Sequence, residues 1–293
     1  MAHTYTVTQE TTLLPFLFET LSLQEGWPKK TVKQRLQGAS IMVNAQVVTK
    51  HDTPLHTGDL ITIGSAQSGR QQTGTPQRSL EILYQDKALI AINKPAGLLS
   101  VGTNRENKNH ALSLLRTQLS RRKNSIRLWP VHRLDRDTSG ILLFATSKEI
   151  REAVMERWDR TEKSYLAIVE GIPAKETDTI TQPLRLDETR YQMHVGAHRD
   201  AKPAITHYRL KRRHNNRSLL EVDIDTGRQH QIRAHLAWMG HPVVGDARYG
   251  SKPVKREEGR MGLHATRLRF THPLSRQEIT IEIDAPADFY QLI

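Results

Sequence analysis

The pattern of apolar and polar positions divides the chain into two organised stretches. In the first, Pro28 and Gly38 bracket KKTVKQRLQ, with Val32 and Leu36 on one face and Lys29 and Lys33 on a neighbouring one, which predicts a basic helix. Ile41 and Val43 then alternate into Asn44-Ala45, Val47 and Val48 follow, and Gly58-Asp59 precedes LITI, which predicts a small sheet. The second stretch opens with SLEILY and ALIAIN around Asp86-Lys87, an expected hairpin. Leu112, Leu115 and Leu119 recur at helical spacing. ILLFAT, at 141–146, is almost free of polar residues, and Thr146-Ser147-Lys148-Glu149 offers a capping box to a helix carrying Ile150, Val154 and Trp158. YLAIVEG, AITHYRL, SLLEVDI, RLRF and ITIEI read as strands, and QHQIRAHLAWMG as a helix ending at Gly240.

Between the two stretches, SAQSGRQQTGTPQRS holds no large apolar side chain and cannot offset the entropy of ordering by burial. The expected organisation is a small domain at 1–64, a flexible linker at 65–79 and a catalytic-sized domain at 80–293. Strands and helices do not alternate regularly. The expected class is therefore α+β, with a large mixed, mostly antiparallel sheet, flanking helices and a central cleft.

Charge adds a partner to this picture. Across 293 residues, 43 Lys and Arg face 31 Asp and Glu, a formal net charge of +12, which points to a polyanion and to nucleic acid first. One basic cluster runs from Arg105 to Arg127 and includes Arg121, Arg122 and Lys123; another comprises Arg209, Lys211, Arg212, Arg213 and Arg217. The absence of cysteine excludes disulfides, zinc–thiolate centres and cysteine nucleophiles. The run Leu13–Phe18 is too short to span a membrane and lacks a basic flank, so the chain reads as cytoplasmic, without membrane association. No Gly-rich phosphate loop or G-x-S-x-G elbow occurs, and His230 and His235 are five apart, off the spacing that puts two ligands on one helical face; no cofactor or metal is expected.

The remaining candidate is Asp135 in HRLDRDTSG, at 132–140, just ahead of the apolar strand and flanked by Arg133 and Arg136. A carboxylate at a water-poor wall needs a cationic partner, and so paired it can serve as nucleophile or base.

Two resemblances sharpen this reading. Residues from about 12 to 63, with the basic helix (Lys29, Lys30, Lys33), IMVNAQVV and the closing GDLITI, resemble the S4 domain, an RNA-binding module. From about 80 to 290 the chain resembles the RluA family of RNA pseudouridine synthases: KPAG at 94–97, HRLDRDTSG, KSYLAIVEG at 163–171, TGRQHQIRAHLA at 226–237, GDARYG at 245–250 and LHA at 263–265 occur in the family's order. The resemblance implies that Asp135 is the catalytic carboxylate, Arg233 its ion-pair partner, Tyr165 the aromatic neighbour of the uracil and Arg133 the arginine that displaces the target nucleotide. It casts Lys94, His132, Thr138, Gly140, Gly227 and Gly245 as residues that shape the site. The implied reaction is isomerisation of uridine in structured RNA, large-subunit ribosomal RNA ahead of transfer RNA, by a monomer. The alternatives are a non-catalytic RNA-binding or ribosome-assembly factor, and a glycosidase-like enzyme that would need a second carboxylate, for which Asp137 is the nearest candidate.

Overall fold

The polarity-free run at 141–145 is a central strand covered on both faces. In the computed structural model, which describes residues 3–37, 40–44, 46–63, 79–104, 106–120, 126–250 and 259–293, every residue of Ser139–Ala145 is buried. Leu142 and Phe144 join one core cluster with Leu112 and Leu115, while Ile141, Leu143 and Ala145 join another with Val154 and Phe270. Side chains alternate across a strand, so a strand buried on both sides must be apolar at consecutive positions. Each Leu, Ile or Phe so placed contributes roughly 1.5–3 kcal/mol of burial.

The chain divides into two units, residues 1–78 and 79–293. In the first, β1 (His3–Thr6), β3 (Ile41–Val43), β4 (Gln46–Val47) and β6 (Leu60–Ile63) form a sheet of order β1-β6-β3-β4, and β2 (Thr11–Thr12) pairs with β5 (Pro54–Leu55). Helix α1 (Leu13–Leu17) runs on into a π-helical stretch, Phe18–Gln24. Helix α2 spans Lys29–Gln37, and the carbonyl of Pro28 accepts from the Val32 N–H at 3.2 Å. Pro28 thus brackets the helix from the position just before its first residue. Val32 and Leu36 pack with Leu13, Leu17, Leu21 and Ile61. The ammonium groups of Lys29 and Lys33 lie 5.6 and 5.9 Å from the centre of the Phe18 ring. Gly38, Ala45 and residues 65–78 of the expected linker lie outside the described residues.

In the larger unit the chain order is β7 (Glu81–Gln85), β8 (Leu89–Lys94), α3 (Ala111–Leu119), β9 (Trp129–Pro130), β10 (Ser139–Ala145), α4 (Lys148–Met155), β11 (Glu162–Glu170), β12 (Thr177–Ile180), β13 (Leu184–Asp187), β14 (Gln192–Val195), β15 (Thr206–His214), β16 (Arg217–Ile224), α5 (Gln231–Trp238), β17 (Leu263–Thr271), β18 (Glu278–Glu282) and α6 (Ala287–Tyr290). A ten-stranded sheet has the path β12-β15-β16-β11-β17-β10-β8-β7, with β18 on β17 and β9 on β10. Among the described strands β10 and β17 alone pair in parallel, through Ser139 with His264 and Gly140 with Ala265. Gly140 has φ +111°, and a Cβ there would lie 2.1 Å from the Ala265 carbonyl oxygen, so these strands meet closely because the residue is glycine.

Local capping differs from the expected box. Ser147, not Thr146, caps α4, its hydroxyl accepting from the Ile150 N–H at 3.2 Å; Thr146 donates to the carbonyls of Lys87 and Ala88 instead. Trp158 lies beyond α4 in a separate turn, Trp158–Arg160, stacked on His132 with ring centres 5.3 Å apart. Helix α5 ends as expected: Gly240 at φ +88° donates to the Ala237 carbonyl and His241 to that of Leu236, a Schellman arrangement. The basic run on β15 and β16 is largely neutralised, since Arg209 and Lys211 pair with Glu221, Arg213 with Glu176 and Arg217 with Glu170. Its expected role in following phosphates is correspondingly reduced.

His132 gives a pH-dependent stability. Its Nε2 accepts from the Leu143 N–H at 3.2 Å, and burial pushes its pKa down to about 4. The unfolded value is about 6.5, so the native state favours the neutral ring. This contribution is complete above the unfolded value and is lost as pH falls from about 6.5 through about 4, amounting to about 3 kcal/mol. His132→Gln, which keeps an acceptor but does not titrate, should flatten the urea midpoint across that interval; parallel profiles for both proteins would contradict the assignment.

Candidate active site

Asp135 lies in the loop between β9 and β10, and the backbone on each side of it is tied down. Ser100 Oγ donates to the Leu134 carbonyl at 2.7 Å and accepts from the Leu134 N–H at 2.9 Å. Lys94, fully buried, donates to the carbonyls of Pro95, Leu98 and Arg136 at 3.0, 2.7 and 3.0 Å. The carbonyls of residues 134 and 136 are thus held by Ser100 and by the last residue of β8. Burial lowers the Lys94 pKa to about 7, against the pull of Asp137 and Asp135. This clamp fixes the backbone of the polar loop where it runs into the buried strand.

The carboxylate of Asp135 faces α5. Arg233 Nη1 donates to its Oδ2 at 2.8 Å, across 98 residues of sequence. The same guanidinium donates through Nε and Nη2 to Asp246 at 2.7 and 2.8 Å. Asp246 is fully buried and also accepts from the N–H groups of Arg248 and Tyr249, at 2.9 and 3.1 Å. Burial opposes its ionisation, yet the Arg233 hydrogen bonds and charge hold its pKa below the usual carboxylate range. Arg233 responds oppositely: burial lowers its pKa, but Asp246 and Asp135 together raise it. The flanking arginines, Arg133 and Arg136, are not the ion-pair partners that sequence adjacency suggested. The carboxylate most dependent on Arg233 is Asp246, whereas the Asp135 side chain retains 27% of its exposure.

The start of α5 is shaped by Gln231. Its Oε1 accepts from Thr226 Oγ1 and from the Arg228 N–H, at 2.8 and 3.0 Å, and its Nε2 donates to the Ile205 carbonyl at 2.9 Å. His230, immediately before, has φ +51°, uncommon for a non-glycine residue. His235 is a buried brace between Thr206 Oγ1 and the Gln182 carbonyl.

These elements enclose a cleft of about 830 Å³ lined by Arg133, Asp135, Arg136, Asp137, Tyr191, Gly227, Arg228, His230, Arg233, Gly245 and Arg248 among others. Its size suits a nucleotide-scale ligand. Arg133 is exposed at the cleft, and Gly227 lies in the opposite wall. Tyr165, on β11, is half-buried between two core clusters behind the cleft. Burial, and next the charge of Asp135, raise its pKa, so the phenol stays protonated. Thr138 is buried in the loop, whereas His132 packs on Trp158 and is not in the cleft wall. Lys29, Lys30 and Lys33 are exposed on α2 in the other unit, and Arg121, Arg122 and Lys123 lie outside the described residues. Sequence reasoning missed Ser100, Asp246, His230, Tyr191 and Arg248. Only GDARYG, which contains Asp246 and Arg248, and TGRQHQIRAHLA, which contains His230, carried a signal for any of them.

The mixed sheet with its flanking helices is shared with solved pseudouridine synthase structures. One titled human RNA pseudouridylate synthase domain containing 4 aligns with a TM-score of 0.61 at 25% identity, covering 72% of this chain and 91% of that one. The family model described as RNA pseudouridylate synthase matches residues 88–238, and the chain belongs to that family, whose members are isomerases. Among relatives, tRNA pseudouridine synthase C of Haemophilus ducreyi is 37% identical over 69% of this chain and 89% of its own length. Ribosomal large subunit pseudouridine synthase D of Escherichia coli K12 is 29% identical over 93% of this chain and 88% of its own length. Among the described residues no helix is long and apolar enough to cross a membrane.

Proposed function

We propose that the chain converts specific uridines of structured RNA, in the large ribosomal subunit, to pseudouridine through Asp135. The observation that carries this is the asymmetry of the carboxylate in a residue that lines the cleft: Oδ2 is held by Arg233, while Oδ1 has no hydrogen bond among the described residues. A carboxylate with one oxygen paired and one free is held in a fixed direction, as a nucleophile or base requires. The N1–C1′ bond breaks, the uracil turns, C5 bonds to C1′, and the C5 proton is lost as N1 gains one. Nothing is oxidised, and no group leaves the RNA.

Reaching the base requires flipping it out of its stack, at a few kcal/mol. Arg133 at the cleft displaces the nucleotide, Tyr165 supports the uracil from the sheet side, and Arg136, Arg228 and Arg248 draw in phosphates. Lys94, Thr138, Gly140, Gly227 and Gly245 give the loop and cleft their shape, and His132 braces them from behind. The enzyme works as a monomer in the cytoplasm, without a cofactor.

The ribosomal target rests on the small unit. The relative named for the large subunit matches 93% of the chain, more than the larger unit alone supplies, whereas the one named for tRNA matches 69%. We assign that unit as an S4-like RNA-binding domain whose contact face is α2 and, beyond it in the larger unit, Arg121, Arg122 and Lys123 as further phosphate contacts. The triple substitution Lys29→Glu, Lys30→Glu, Lys33→Glu should weaken RNA binding and reduce the slope of log K against log salt by about 1 per lysine. An unchanged slope would remove α2 from the interface. The reading as a whole is tested by mapping pseudouridines in ribosomal and transfer RNA transcripts after incubation with the protein: new sites in large-subunit RNA are expected, and sites in transfer RNA alone would reassign the substrate.

A further inference from the structure

His230 enters none of the roles above, yet its ring is held on several sides in the cleft wall. Tyr249 Oη accepts from the Met193 N–H at 2.7 Å and lies 3.0 Å from His230 Nδ1. Burial raises the Tyr249 pKa, so the phenol keeps its proton, and with the Met193 N–H already donating to its oxygen, that proton is directed to Nδ1. Burial lowers the His230 pKa, the charges of Arg233 and Arg248 lower it further, and Asp135 and Asp246 oppose them. A neutral ring that accepts at Nδ1 carries its proton on Nε2. Nε2 is 3.8 Å from Asp135 Oδ1, the oxygen that Arg233 leaves free. The rings of Tyr191 and Tyr249 meet His230 edge-on, at 6.1 and 5.7 Å, and fix its plane.

The 3.8 Å separation is too long for a hydrogen bond. It is also shorter than the about 4.5 Å spanned by two bonds of about 2.8 Å meeting at a tetrahedral water. A direct contact therefore needs only a small movement of the two side chains. The backbone at φ +51° is where a bulky residue pays strain, and such strain concentrates at functional sites.

We propose that His230 is a positioning residue for the isomerisation: its Nε2–H closes on Oδ1 of Asp135 when a uridine fills the cleft and aims that oxygen at the reacting nucleotide. This rests on the function proposed above. Two amide substitutions differ only in reach. Asn is well tolerated at positive φ but falls short of Asp135; Gln carries its amide about as far as Nε2 of the imidazole. In turnover with saturating RNA, His230→Asn should lose about 10- to 100-fold in kcat with KM, RNA affinity and melting temperature unchanged, the scale of one hydrogen bond to a charged group. His230→Gln should recover most of that loss. Wild-type kcat in the Asn variant, or equal losses in both, would overturn the proposal while leaving the isomerase intact. Absence of turnover by the wild-type chain on every RNA would instead defeat the function and this inference with it. Nitrogen-15 NMR of the free protein, with His230 assigned by the loss of its signals in His230→Gln, should show the proton on Nε2; a proton on Nδ1 overturns the proposal whatever the turnover.

Discussion

Asp135→Asn is expected to fold, bind RNA and make no pseudouridine. The substitution removes the charge but keeps the shape, and the Asn carbonyl can still accept from Arg233 Nη1, whose other nitrogens remain committed to Asp246. Because the Asp135 side chain is 27% exposed, little stability depends on its charge, and the melting temperature should move by no more than about 2 °C. The loop stays clamped by Ser100 and Lys94. Turnover should fall by at least about 10⁴-fold, as for loss of a nucleophile or base that no neighbour replaces. Asp137, on the same loop, also lines the cleft, but the Arg233 guanidinium is already shared between Asp135 and Asp246, so Asp137 is not expected to substitute. A loss of binding equal to the loss of turnover would assign Asp135 to recognition instead.

The second large effect concerns stability. Arg233→Met leaves Asp246 fully buried with its two guanidinium bonds removed and only the Arg248 and Tyr249 amides as partners. Breaking a buried pair by removing one member typically costs about 3–5 kcal/mol. A loss of that size should appear as a lower urea midpoint, with Arg233→Lys intermediate because an ammonium cannot span both carboxylates with a planar fork. The double variant Arg233→Met, Asp246→Leu should regain most of the stability while remaining inactive, separating the two duties of the guanidinium. If the single and double variants are equally unstable, the loss lies in packing against Tyr249, whose ring is 5.2 Å from the guanidinium, rather than in a stranded charge.

Much of this arrangement is legible in the sequence because it is periodic or local. SLEILY and ALIAIN read as a hairpin from alternation around Asp86-Lys87, and they pair as β7 and β8. The α+β class follows from the irregular succession of strands and helices. β12, β13 and β14 gave no such signal: TDTI, LRLD and QMHV are four residues each and rich in polar side chains. At the site, adjacency misled, since the arginine bound to Asp135 is not the preceding or the following one but Arg233, 98 positions away. The motif resemblance pointed to that residue; charge patterning did not. Ser100 was illegible for the same reason, and Asp246 was marked only by its place in GDARYG, not by its role. Each matters through a contact that only the fold creates, with the Leu134 backbone in one case and the Arg233 guanidinium in the other.

The central claim is that Asp135 isomerises uridine in this cleft. Its most direct test is release of tritium from C5-labelled uridine in ribosomal RNA, comparing the wild-type chain with Asp135→Asn at matched RNA occupancy. Release by wild type alone is the predicted result. Release by both proteins would take the chemistry away from Asp135, and release by neither, with RNA bound, would make the chain an RNA-binding protein that keeps the fold without the reaction.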